Sequence, residues 1–128
     1  MNQDPERPQR IVRCRWMPKR YCLNFFGIVL TRDTGWINSG VVNHERIHTA
    51  QQRELLWIPF YILYIMEWIV RLIQFRNHDR AYRNISFERE AYTHGGDFGY
   101  LRRRKRHSWL RHLFYTKQQL EHYEQRFR

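Results

Sequence analysis

Two cysteines, Cys14 and Cys22, stand eight apart in 128 residues, with no CxxC spacing. That excludes a disulfide framework and a cysteine-based zinc site, and leaves two idle thiols of a reducing compartment as the expectation. Glycine (6) and proline (4) are scarce and no period recurs, which removes collagen-like, repeat and low-complexity architectures. The opening residues, Met-Asn-Gln-Asp-Pro-Glu-Arg-Pro, lack the apolar stretch of a secretory signal, so a cytoplasmic location is expected. Acidic residues are also few, 12 against 23 Lys+Arg, for a formal charge of +11. Aromatics are abundant instead: eight Tyr, eight Phe and five Trp in a chain that is 42% hydrophobic argue for a packed core over disorder. The length suits one domain.

A charge of +11 invites a nucleic-acid or anionic-membrane reading. Its distribution lowers that weight. Residues 1–20 sum to +4 and residues 101–128 to +7, while 21–100 carry eight charges of each sign. The body is neutral and the ends are basic.

The pattern predicts an α+β, mainly α fold. Residues 1–10 read as a flexible leader, 11–100 as a single domain, and 101–128 as a basic amphipathic C-terminal helix packed on it or extending from it. Ile11–Trp16 and Phe25–Thr31 are rich in β-formers around a turn at 17–20, which predicts a short antiparallel pair. From Val41 to Phe75 the spacing is helical, with Pro59 ending one helix or kinking a long one near Trp57. Residues 76–84 read as a polar connection. Ser86 is a candidate N-cap for a helix to Thr93, which Gly95-Gly96 terminates. Leu110, Leu113, Phe114, Leu120 and Tyr123 then recur at near-helical spacing over 107–126.

His44-Glu45-Arg46-Ile47-His48 is HExxH on the predicted helix. Residues i and i+4 share one helical face, so both imidazoles reach one zinc ion. Glu45 lies near that ion without binding it, placed to take a proton from water activated there. A catalytic zinc needs a third protein ligand. Phe87-Glu88-Arg89-Glu90-Ala91-Tyr92 offers two carboxylates on the second helix. Glu88 with Ala91 makes ExxA, in which the small residue one turn on permits close helix approach. Glu90 points roughly 200° away, so only one of the pair can ligate. Glu88 is the choice and Glu90 the substitute. Of Gln51 and Gln52, one is expected on the cleft and one in solvent.

These residues resemble the gluzincin side of the zinc metallopeptidases, particularly its smallest members, and a group of small uncharacterised proteins reading HE-x-IH-x-x-Q…FEREAY. The likeness rests on His44 to His48, Gln51 and Phe87 to Tyr92, within residues 42–92. It implies His44, His48 and Glu88 as zinc ligands, Glu45 as general base, and a peptide or protein substrate. It also implies a sheet edge within 23–31 that lies over the cleft and pairs with the substrate. Tyr92 stands where relatives often place Asp or Asn in support of a histidine ligand. Tyr82, Tyr92 and His94 are the candidates for stabilising developing charge.

Leu55 to Ile73 is an apolar run of 19 residues in which only Glu67 and Arg71 are charged. A bilayer span needs about 20 such residues. Crossing a membrane there would put the histidines and Glu88 on opposite sides, so a span and the three-ligand site exclude one another. Burial in the core is preferred, and a shallow interfacial helix beside an anionic membrane surface stays compatible with the site. Binding of nucleic acid through Arg102–Arg106, with Trp109, Tyr115 and Tyr123 stacking on bases, is the weaker alternative.

Overall fold

The computed structural model describes residues 10–18 and 21–128. Residues 1–9 of the proposed leader and part of the proposed 17–20 turn lie outside the described residues, and Arg10, the last leader residue, begins the first strand. The chain is mainly helical with a small sheet at its N-terminal end, the expected α+β class.

The strand pairing differs from expectation. Three strands, β1 (Arg10–Arg13), β2 (Cys22–Phe25) and β3 (Ile28–Thr31), make a mixed sheet in the order β1-β3-β2. The hairpin joins β2 to β3, with Phe25 opposite Ile28, and β1 runs parallel to β3. The turn is Phe26-Gly27, inside the apolar run, and both residues have positive φ (52° and 87°). That is the signature of a two-residue primed turn, and glycine makes it inexpensive. Asn24 fixes the hairpin to the helix beside it. Its amide donates to the Glu45 carbonyl (2.8 Å) and to Thr49 Oγ1 (3.0 Å), while its Oδ1 accepts from Gly27 N–H (3.0 Å).

Of the two expectations at Pro59, a helix end and a kink in one long helix, the structure has the first: two helices, α1 (Ser39–Glu54) and α2 (Ile58–Phe75). Leu56 and Trp57 both adopt positive φ at the break, and Pro59 sits in the first turn of α2, where its missing N–H is not needed. Asn38 caps α1, its side chain accepting from Val41 N–H. The supposed connection contains a short helix, α3 (His78–Arg83), capped by Asn77. In α4 (Ser86–His94) Ser86 is the first helical residue and not the cap. The orphan donors at that end are met by Glu67 of α2, whose carboxylate accepts from Ser86 N–H (2.7 Å) and Ser86 Oγ (2.5 Å). Glu67 also pairs with Arg71 at i+4, at 3.3 Å.

The expected long C-terminal helix is broken. After α5 (Tyr100–Arg103) come a 3-10 turn at Ser108–His112, an irregular stretch, and α6 (Lys117–Glu124). The interruption has two causes. Trp109 enters the main core against Phe60, Ile85 and Phe87, and the chain then presents the Leu113 carbonyl to Arg71 (2.6 Å). Thr116 and Gln119 restart the helix with a capping box. A second small cluster, Ile47, Ala91 and Tyr100, locks α1 to α4.

His112 is the last residue of the 3-10 turn, and burial pulls its imidazole down from 6.5 to about 4. Burial also lowers His94, whose ring lies 5.9 Å from that of His112. At these two imidazoles the unfolded chain therefore binds more protons than the folded one across this window, so their contribution to stability is full above pH ~6.5 and falls as pH drops toward 4. Urea midpoints measured at pH 7.5 and pH 5 should show that loss, and His112→Gln should flatten the dependence. An unchanged slope in the variant would assign the acid lability elsewhere.

The largest departure concerns α2. Of its eighteen residues only Phe60 and Arg71 are buried. The expected core helix instead lies across the outside of the body with most of its apolar side chains in solvent.

Candidate metal centre

The three proposed ligands converge. His44 Nε2 and His48 Nε2 stand 3.1 Å apart, and Glu88 Oε2 lies 3.2 Å from the first and 3.1 Å from the second. Four-coordinate zinc with bonds of about 2.0–2.1 Å requires donors about 3.3 Å apart, so a modest expansion of this triangle accommodates an ion. His44, His48 and Glu88 together could bind a metal ion. Close approach of α1 and α4 makes the geometry possible. Ala91 is wholly buried between them, and a Cβ on Gly95 would meet the Ala91 carbonyl at 2.9 Å and His44 Cβ at 3.5 Å. Asn43 ties the same helix end down, its amide donating to the carbonyls of His94, Gly95 and Asp97.

The hydrogen bonds behind the triangle decide its protonation. Gln51 Nε2 donates to the Phe87 carbonyl (3.0 Å) and to Glu90 Oε1 (2.9 Å), which turns Gln51 Oε1 toward His48 Nδ1 at 2.8 Å. An amide oxygen only accepts, so His48 Nδ1 carries a proton and Nε2 is the atom left facing Glu88, for a second proton or a metal ion. Glu88 is held from its other side by Tyr64, whose hydroxyl donates to Oε1 (2.8 Å).

Electrostatics point the same way. Burial alone would lower His48, but the Glu88 carboxylate, its hydrogen bond and Glu45 raise it to about 9. Burial likewise opposes ionisation of Glu88, yet the two histidines hold it well below the usual carboxylate range. The buried cluster demands a positive charge, which a proton or a cation can supply. Glu45 is pushed upward, chiefly by burial and also by Glu88, with both histidines opposing.

A cleft of about 410 Å³ opens on the His44 side and is also lined by Glu45, Cys22, Trp36, Tyr82 and Tyr92. Tyr92 packs edge-on against His44, with ring centroids 4.6 Å apart, and so fixes the orientation of that imidazole by contact. Tyr82 packs edge-on to Tyr92. The third candidate, His94, is not brought to the site: its ring stacks on Tyr100 at 3.9 Å. Burial drives the Cys22 thiol up to about 11, with Glu45 adding to the effect, so it enters the cleft protonated.

Glu90 does not serve as a substitute ligand. Its carboxylate is completely buried on the far face of α4, where it accepts from Arg104, Gln51 and Tyr100. Neither glutamine is solvated. Gln52 is buried too, donating to the Asn24 carbonyl and accepting from Tyr61. Sequence reasoning missed Tyr64 and Arg104. A tyrosine inside an apolar run was the only trace of the first, and the second was hidden in a run of like charges. Trp109 and Tyr123 are buried, and Tyr115 lies beneath Arg71 and Arg89, so the proposed base-stacking residues are occupied within the fold.

A scan against protein-family models, a search of curated proteins and a search of solved structures each returned no match.

Proposed function

We propose that this chain is a zinc-dependent peptidase or peptidase-like hydrolase, with His44, His48 and Glu88 as ligands and Glu45 as general base. The observation that carries the proposal is the convergence of three donor atoms combined with the Gln51 hydrogen bond that leaves His48 Nε2 facing Glu88. When bound, zinc supplies a Lewis acid that acidifies water and polarises a carbonyl. Glu45 takes the proton from the attacking water and returns it to the leaving amine, a role favoured by a carboxyl raised toward neutrality. Tyr82 and Tyr92, both on the cleft wall and both kept protonated by burial, are the candidate donors to developing negative charge. Strand β2, at the edge of the sheet among the described residues, begins at Cys22 on the cleft and offers backbone groups to an extended peptide. The resemblance of HExxH and FEREAY to small gluzincins supports the same reading.

The test is metal content in protein purified without chelators or metal-affinity resin. Near-stoichiometric zinc is expected in the wild type, with essentially none in His44→Ala/His48→Ala and a strongly reduced amount in Glu88→Ala. A metal-free wild type, or a double variant that keeps its zinc, removes the proposal.

A further inference from the structure

The outer face of α2 contradicts the ordinary logic of a surface helix, which turns apolar residues inward and polar ones outward. Ile58, Ile62, Ile65, Met66, Ile69 and Ile73 fall within roughly 100° of arc at 100° per residue, and all six are exposed, Ile62 at 54%, Met66 at 59% and Ile73 at 72%. The two charged residues of the helix point the opposite way. Glu67 is spent on the N-terminus of α4, and Arg71 on Leu113 O, Tyr115 and Gln74. The helix is apolar enough to cross a membrane by length and composition, yet only 11% of it is buried. At its N-terminal end the patch continues through exposed Leu56 to the hairpin tip, where Phe26 packs on Trp57 and Tyr61 and Phe25 packs on Phe26.

We propose that this face lies flat in the headgroup–acyl boundary of an anionic bilayer. Three observations select lipid. The stripe runs about 23 Å without a hydrogen-bonding side chain among those six residues, whereas protein interfaces carry roughly one hydrogen bond per 100–200 Å². A formal charge of +11 repels a second copy and attracts acidic headgroups. The helix ends on exposed Arg76, and the basic C-terminal segment, which Leu113 and Tyr115 hold to the inner side of α2 through Arg71, carries exposed Arg111, Phe114 and Lys117. The helix lies in the plane of the membrane. A transbilayer orientation would carry Glu67 and Arg71 into hydrocarbon and tear them from Ser86 and Leu113.

Flotation of the full chain with vesicles of phosphatidylcholine, alone or mixed with phosphatidylglycerol, tests this directly. The wild type should float with the mixed vesicles, far less with phosphatidylcholine alone, and be released by alkaline carbonate. Ile62→Glu/Ile69→Glu should lower the bound fraction at least about tenfold with an unchanged circular dichroism spectrum. Ile62→Asn/Ile69→Asn is the milder pair if the charged one fails to fold. Four results would overturn the proposal: a wild type that stays unbound, equal binding by a folded variant, resistance to carbonate, or a lipid-free dimer that the variant dissociates. The readout involves neither metal nor hydrolysis, so its failure leaves the proposed activity standing, and the reverse also holds.

Discussion

Arg104→Ala is expected to destabilise the chain by about 3–5 kcal/mol, more than any other single substitution outside the apolar core. The guanidinium is 4% exposed and bridges two carboxylates, Glu54 and Glu90, the second with no exposure at all. It donates through Nε (2.6 Å) and Nη2 (3.0 Å) to Glu90 and through Nη1 to Glu54, while His107 N–H also reaches Glu54 (3.0 Å). Burial opposes the charge, but the two carboxylates hold Arg104 above its ordinary value, and Arg104 in turn lowers Glu90 against the opposing effect of burial. Removing the cation leaves two buried anions with their desolvation uncompensated. Arg104→Lys should recover only part of the loss, since a point charge cannot reproduce a fork that meets two carboxylates. Urea denaturation gives the number directly. A change below about 1 kcal/mol would place this pair with ordinary surface bridges. A second consequence follows through Glu90, which orients Gln51 and so His48. Zinc affinity should weaken in both variants, on the order of the 10–100-fold that loss of a supporting hydrogen bond commonly costs.

This bridge shows where the sequence was informative and where it was not. The convergence of His44, His48 and Glu88 was legible because helical periodicity is a local rule: four residues return a side chain to the same face, and Glu88 precedes Ala91 by almost one turn. Glu90 was separable from Glu88 by the same arithmetic. Arg104 was not legible, because a run of five cations gives no sign of which one turns inward. Hydropathy carried the same defect for α2. An apolar run of this length reports that water is unfavourable for it, not whether protein or lipid replaces the water, and Glu67 and Arg71 fit either answer until their partners Ser86 and Leu113 are known. The sheet failed for a different reason. Its turn residues, Phe26 and Gly27, sit inside an apolar stretch, while Met17-Pro18 looked like the better turn, and pairing between strands depends on which turn forms.

Glu45→Gln should leave zinc content unchanged and lower peptide hydrolysis by about 10²–10⁴-fold. The substitution keeps the shape of a side chain that is 7% exposed on the cleft and removes only its capacity to accept a proton. Glu45 is not one of the three convergent donors, so the ion should be held as before. Stability separates this effect from misfolding. Burial and the neighbouring Glu88 both oppose ionisation of Glu45, so a neutral amide relieves a like-charge contact inside the cluster. The variant should therefore melt no lower than the wild type, whereas His48→Ala should lose metal, melting temperature and hydrolysis together. Metal analysis, a thermal melt and a cleavage assay on an unfolded protein substrate distinguish the outcomes. A Glu45→Gln protein that keeps zinc and still hydrolyses at the wild-type rate would assign the base elsewhere. Zinc retained without cleavage by the wild type would make the triad a structural clamp between α1 and α4, because His44 and His48 lie on the first helix, Glu88 lies on the second, and one ion held by all three would join them.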